Sequence, residues 1–381
     1  MIHSLANHST VIKINQQIQN HKLNPELFQT EGIKYAGSKL KIIPHIIEMV
    51  SGLQATNVLD GFSGSTRVSQ AFAKFGFNTV SSDISVWSAT FAKAYLLNRQ
   101  PDKYYEPILQ HLNSLKGYEG WFTEYYGGVP GKKDKRPFQE KNTKKLDAIR
   151  DELETLSLSE VEKSVLLTSL ILALDAVDNT LGHYAAYLSK WSARSFNNLH
   201  LKLPKLINTE GAHEVIRGDI FDTIRNKSFD LAYFDPPYGS NNEKMPPSRV
   251  RYHAYYHIWT SVILHDRAPL FGKAWRREDS RDSSSSVFEE FRKDENGKYM
   301  AMNAIRDLIA GTNARYILLS YSSGGRATKQ DLFDIIESSG KLIYAKEINY
   351  RKNVMANMRW TNDWVGKDEP YLEYLFLMEK T

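Results

Sequence analysis

The 381-residue chain is 41% hydrophobic and 24% charged, carries a formal charge of +5 and contains no cysteine. The missing thiols exclude disulfides, Cys-ligated zinc, iron–sulfur clusters and the cysteine nucleophile needed to methylate carbon 5 of cytosine. No run approaches the about 18 apolar residues of a membrane-spanning helix, and the polar start Met1-Ile-His-Ser-Leu-Ala-Asn-His8 lacks the layout of a secretory signal, so a cytoplasmic protein without a membrane partner is expected.

In chain order, residues 1–30 show little periodicity and read as an arm or a first helix. A helix is expected over Leu40–Val50. The apolar run Asn57–Asp60 stops at a Gly-rich turn, and a helix over Arg67–Phe75 is closed by Gly76. Asn78–Asp83 reads as a second strand and Ser85–Leu97 as a second helix. Strand, turn, helix and strand at this spacing open a parallel α/β sheet. From Pro101 to Pro204 no convincing strand is found. Helices dominate there, over Asp147–Leu156 and Ser159–Val177. Strands resume at His213–Ile216, Ser228–Asp235 and Ala314–Ser320. Two late strands near Lys341–Ile348 and Tyr371–Met378 have no helix between them and should run antiparallel. Ser283–Ser286 marks a flexible loop. The organisation expected is therefore a split sheet domain, residues 31–100 plus 205–381, with a helical insertion over 101–204.

The charge is concentrated. Between Gly131 and Arg150, eight basic residues (Lys132, Lys133, Lys135, Arg136, Lys141, Lys144, Lys145 and Arg150) face three acids, which is the whole +5 excess. A second basic stretch, Lys244–Arg281, interleaves Arg249 and Arg251 with Tyr252, Tyr255, Tyr256 and Trp259. A single charge run is usually a solvated surface. Two of them, the second with aromatics interleaved, suit a phosphate backbone with bases nearby.

The most specific string is Asp235-Pro236-Pro237-Tyr238, directly after an apolar strand. Two prolines forbid continuation of strand or helix and leave carbonyls free as acceptors. A carboxylate beside a free carbonyl matches the two N–H donors of an aromatic amine such as that of adenine. Tyr238 adds a flat face for a base lifted from its duplex. A tight turn would explain Asp-Pro alone; the four residues at a strand end favour the functional reading.

The turn Asp60-Gly-Phe62-Ser-Gly64-Ser-Thr66 fits neither a P-loop, a hydrolase elbow nor a dinucleotide fingerprint. It suits a compact polar ligand, with Asp60 available to a cationic amine. Asp83, 23 residues further on, can accept both hydroxyls of a ribose or serve a helix N-terminus; its spacing from Asp60 favours the ribose. Asp219, in Arg217-Gly-Asp219, suits a nucleoside amine or an ordinary turn. Tyr35-Ala-Gly37-Ser-Lys39 could clamp a carboxylate, although its spacing alone favours a turn. Asp178–Tyr184 reads equally as a base reader and as a helix terminus broken by Gly182.

In order, these strings resemble the N6-adenine DNA methyltransferases of the alpha group, the D12 class. One departure is that Ser65-Thr66 follows Gly64 where that family usually has another glycine. The resemblance implies a class I, Rossmann-like methyltransferase sheet with S-adenosylmethionine as donor, S-adenosylhomocysteine as product and no metal. Tyr35, Gly37 and Lys39 would hold the donor's methionine end, Asp60, Phe62 and Gly64 would line the site, Asp83 would take the ribose and Asp219 the adenine. Asp235, Pro236, Pro237 and Tyr238 would be catalytic. Double-stranded DNA would be the substrate and the 101–204 insertion the target-recognition domain. Lys132, Lys133, Lys135, Arg136, Lys144, Lys145, Arg249 and Arg251 are expected to contact DNA, and a cognate restriction endonuclease, acting separately, to share the prokaryotic or phage setting. Methylation of RNA adenine, or a non-catalytic binding module with this fold, are the rival expectations.

Overall fold

Seven strands form one sheet in the computed structural model of the chain, which describes residues 25–132, 136–239, 252–280, 286–290, 292–349 and 372–380. The expected arm lies outside these residues up to position 24, and of the Ser283–Ser286 loop only Ser286 lies inside them. Helix α1 (Ile43–Val50) buries Ile43, Ile46, Ile47 and Val50 on one stripe, the spacing of an amphipathic helix. Strand β1 (Asn57–Asp60) leads through the Gly-rich turn into α2 (Arg67–Phe75), which Gly76 closes at φ 104°. Strand β2 (Asn78–Asp83) precedes α3 (Val86–Ala92), and a π turn over Lys93–Leu97 prolongs that helix.

Four helices follow: α4 (Asp102–Ser114), α5 (Trp121–Tyr126), α6 (Glu140–Thr155) and α7 (Glu160–Val177). The expectation of no strand in this stretch is corrected at one point, where Gly127–Gly128 pairs in parallel with Phe138–Gln139. Two residues a side leave no alternation to read. Helix α6 starts at Glu140, ahead of the expected Asp147, because its first turns are polar and lysine-rich. Helix α7 is buried nearly all round from Ser164 to Val177, as a helix at the centre of a core must be. It shares that core with Trp87, Phe91 and Tyr95 of the α3 segment and with Trp259.

The longer elements that follow are β3 (Glu214–Arg217), α8 (Ile220–Arg225), β4 (Ser228–Phe234), α9 (His257–Leu264), α10 (Met300–Gly311), β5 (Asn313–Ser322), α11 (Lys329–Glu337), β6 (Gly340–Asn349) and β7 (Leu372–Lys380). The strand order is β6-β7-β5-β4-β1-β2-β3. All pairs from β3 to β5 are parallel, and β7 runs antiparallel to both β5 and β6. Central β4 is buried on both faces: Leu231 and Tyr233 pack with α1 and α2, Ala232 and Phe234 with α8, α10 and α11. That is why it reads as an unbroken apolar run. The order reverses between β1 and β4, and the crevice at their carboxyl ends is where such sheets bind ligands.

Candidate active site

The eight residues from Tyr35 to Asp219 expected around the donor and the run Asp235–Tyr238 all line one cavity of about 460 Å³ at that crevice. They arrive from five separate segments of the chain, 35–39, 60–64, 83, 219 and 235–238, so the sheet order is what assembles them.

Asp60 ends β1 and is buried. Its Oδ2 accepts a hydrogen bond from Ser69 Oγ at 2.6 Å, while Oδ1 is buried without a hydrogen-bond partner among the described residues. Burial pushes this carboxyl up to about 7; the Ser69 hydrogen bond opposes the rise, and the charges of Asp235 and Asp83 add to it. Gly61 follows because a Cβ there would lie 2.7 Å from the Phe234 ring. Gly64 has φ 47°, and Thr66 adopts the same left-handed region at φ 63°, a conformation unfavourable for a β-branched residue. The turn thus keeps the backbone path that another glycine would take easily. Thr66 is held there by its N–H to Ser63 O at 2.6 Å and by Gln70 Nε2, which donates to its hydroxyl at 3.1 Å.

Asp83 accepts the Gly64 N–H on Oδ2 at 2.9 Å and the Ser85 N–H on Oδ1 at 2.8 Å. One carboxylate therefore fixes the Gly-rich turn and the approach to α3, and still faces the cavity. Asp219 caps α8 by accepting the Phe221 N–H at 2.8 Å. Phe62 stands edge-on to Phe288 at 5.2 Å, and Phe288 stacks on Phe221 at 5.8 Å. Phe288 was not foreseen, since it sits in a short turn beyond the serine run with no motif around it.

Tyr35 stacks on Tyr256 at 4.9 Å and tilts against Trp87 at 5.6 Å. The Tyr256 hydroxyl accepts the Ala36 N–H at 2.7 Å and donates to Gly182 O at 3.2 Å. This tyrosine belongs to the basic, aromatic-rich stretch Lys244–Arg281 and holds the Tyr35–Gly37 turn in place.

Lys39, expected to hold the donor's methionine end, is also tied to the Asp-Pro-Pro-Tyr turn. It lines the cavity, but its Nζ lies 2.8 Å from Asp235 Oδ1, donates to the Tyr238 hydroxyl at 2.8 Å, and lies 3.3 Å from Glu373 Oε1. A buried ammonium needs such partners, and the two carboxylates hold its pKa well above the usual lysine range against its burial. Glu373, at the start of β7, also accepts Ser320 Oγ at 2.7 Å. No local pattern marks it; only the antiparallel pairing of β7 with β5 brings it here. Asp235 keeps 16% of its side chain exposed, against 7% for Lys39. Burial pushes the Asp235 carboxyl up to about 7, with Lys39 opposing and Glu373 adding. Tyr238 is braced by Tyr321 at 5.1 Å.

The expected DNA contacts divide. Lys133, Lys135, Arg249 and Arg251 lie outside the described residues, and Lys132 is exposed. The Arg136 guanidinium lies over the Trp275 ring and bonds the Tyr125 carbonyl. Lys144 pairs with Glu119 at 2.8 Å and Glu140 at 2.6 Å, and Lys145 donates to the Asn113 and Leu115 carbonyls. Those two lysines are engaged within the chain. In the Asp178–Tyr184 run, buried Asp178 pairs with Lys34 at 2.9 Å and Arg194 at 2.6 Å, and Gly182 has φ 105°. Helix α7 ends at Val177, so the run follows the helix terminus and Gly182 lies beyond it, with His183 stacked on Tyr255 at 4.8 Å.

Sheet and cavity together define an α/β protein of the doubly wound class whose ligand site gathers three strand-end carboxylates and an Asp-Pro-Pro-Tyr turn. The chain matches the D12 class N6 adenine-specific DNA methyltransferase family over residues 35–322 and belongs to that family. It is 27% identical to modification methylase StsI of Streptococcus sanguinis over 91% of this chain and 52% of that protein. It is 27% identical to type II methyltransferase M.NlaIII of Neisseria lactamica over 92% of this chain and the whole of that protein. With type II methyltransferase M.FokI of Planomicrobium okeanokoites the identity is 26%, over 91% of this chain and 53% of that protein. The chain thus spans about half the length of the StsI and FokI relatives.

Proposed function

We propose that this chain transfers a methyl group from S-adenosylmethionine to N6 of an adenine flipped out of duplex DNA, as the modification enzyme of a type II restriction–modification pair. The observation that carries this reading is the common cavity shared by Asp60, Asp83 and Asp219 with Asp235–Tyr238. The donor set fits the cofactor. Asp60 Oδ1 is a buried acceptor with no hydrogen-bond partner among the described residues, suited to an ammonium, and Asp83 and Asp219 are suited to ribose hydroxyls and an adenine amine. When bound, S-adenosylmethionine supplies a methyl group activated on a positively charged sulfur.

The chain's own residues then position the acceptor. Extruding the base costs roughly a few kcal/mol, offset by stacking on Tyr238, which Tyr321 and Lys39 brace. Asp235 and the Pro236 carbonyl accept the two amine hydrogens and so aim the nitrogen lone pair, and orientation of this kind carries most of such a displacement. Asp235, with its raised pKa, then takes the surplus amine proton. Residues 31–100 plus 205–381 supply this machinery, and residues 101–204 recognise the target, with Lys132 and its neighbours on phosphates.

The test is transfer of labelled methyl to unmethylated duplex DNA and, in parallel, to RNA, with nucleoside analysis of the product. Label in N6-methyladenine of DNA is expected; label in RNA alone, or in neither, overturns the reading. Asp235→Ala should abolish transfer while donor binding by calorimetry stays within about threefold, because the acid acts on the acceptor base rather than on the donor. Near-normal turnover of that variant would remove Asp235 from the acceptor role.

A further inference from the structure

Lys39 sits on the very carboxylate assigned to the substrate amine. Its Nζ is 2.8 Å from Asp235 Oδ1 and 2.8 Å from the Tyr238 hydroxyl it donates to, so both groups expected to meet the base are already engaged. Lys39 and Glu373 are almost wholly buried. An amine arriving at Asp235 must therefore displace an ammonium that is itself almost wholly buried. Displacing a buried charge from its only partner leaves it uncompensated, at a cost large enough to prevent the exchange.

Glu373 removes that obstacle. Its Oε1 stands 3.3 Å from the same Nζ and is fixed by the hydroxyl of Ser320, a hydrogen bond from β5 to β7. One ammonium thus faces two carboxylates, with the hydroxyls of Tyr238 and Tyr233 and the Asp60 carboxylate the other titratable groups around the cluster. We infer that Glu373 is a positioning residue: it keeps Lys39 paired when the substrate amine takes Asp235, so that the lysine vacates the acceptor seat without losing its counter-charge. This rests on Asp235 being the acceptor and adds a role to a residue outside the Asp-Pro-Pro-Tyr turn. Before the base arrives, Lys39 keeps the seat filled. Afterwards, a shift toward Glu373 frees Asp235 while Tyr238 remains in place.

Charge balance makes the inference testable. With Glu373→Gln, Lys39 and Asp235 become a self-compensated ion pair and the seat stays closed. Turnover on long unmethylated duplex DNA should fall at least about tenfold, the scale of a charge-assisted hydrogen bond, while KM for S-adenosylmethionine is unchanged. Adding Lys39→Met should then empty the seat and make the double variant faster than Glu373→Gln alone, though still slower than the parent chain because Tyr238 loses one brace. A Glu373→Gln variant with normal turnover, or a double variant no faster than the single one, overturns the inference. Donor binding by calorimetry verifies that each variant is folded. If Glu373→Gln does not fold, Ser320→Ala with and without Lys39→Met makes the same comparison, since it releases Glu373 from its fixed place. Asp235→Ala, assayed alongside, separates the two failures: if it is inactive and the Lys39 rescue is absent, only the role of Glu373 falls, whereas an active Asp235→Ala removes the acceptor reading and this one with it.

Discussion

Asp60 joins a chemical opportunity to an electrostatic cost. Its buried Oδ1 lacks a hydrogen-bond partner among the described residues and its carboxyl is pushed up to about 7. A folded pKa above the ordinary carboxylate value means that the protonated form is favoured in the ligand-free fold. The stability this contributes is full below the ordinary value, near 4, and is lost as pH rises through about 7. An ammonium on Oδ1 requires the charged form, so ligand affinity has the opposite slope. Donor affinity should fall about tenfold per unit as pH drops below that value and level off above it. Calorimetry from pH 5.5 to about 8.5 tests this, with Asp60→Asn expected to weaken binding and flatten the profile. At this scale Asp60 and Asp235 are legible in the sequence because each ends an apolar run, and Asp83 because it ends the next strand, 23 residues after Asp60. Thr66 is legible only as a departure: the left-handed turn is imposed by the loop, and threonine adopts it under the constraint of Ser63 and Gln70.

Among the elements, those with strong local signals stand where sequence places them. Helix α7 begins at a capping box: the Ser159 N–H donates to Glu162 Oε2 at 2.8 Å, and Ser159 Oγ accepts the Glu162 N–H at 3.3 Å. Ser159→Ala should cost about 1 kcal/mol, read as a lower midpoint in chemical denaturation with an unchanged slope. An unchanged midpoint would mean that core packing alone fixes the helix start. Elements without a side-chain signature escape the sequence. The bridge Gly127–Gly128 to Phe138–Gln139 is made by backbone alone, and the π turn at Lys93–Leu97 is one residue wider than an α turn with no compositional mark. The Lys132–Lys145 run shows the same limit. Its charge is plain in the sequence, but which lysines have internal partners depends on Glu119 and on carbonyls at the end of α4.

For the whole molecule, that division gives a prediction about DNA. Replacing Lys132, Lys133 and Lys135 together by glutamine should weaken DNA binding and reduce the slope of log affinity against log salt by about 1 per lost phosphate contact. Replacing Lys144 and Lys145 should leave the slope unchanged, since Lys144 pairs with Glu119 and Glu140 and Lys145 with backbone carbonyls. Fluorescence anisotropy from about 50 to 200 mM salt distinguishes the two; equal loss in both sets would mean that DNA outcompetes the internal partners. By itself the sequence determined the sheet strands, the acids at their ends, the Asp-Pro-Pro-Tyr turn and the family these define, because apolar runs, turn residues and caps act over a few neighbouring positions. Only the tertiary structure decided that Lys39 meets Asp235 and Tyr238, that Glu373 and Ser320 complete that cluster, and that Phe288 closes on Phe62. Those contacts join residues far apart in the chain, and what brings them together is strand order and antiparallel register, which burial across the whole sheet fixes and no local pattern encodes.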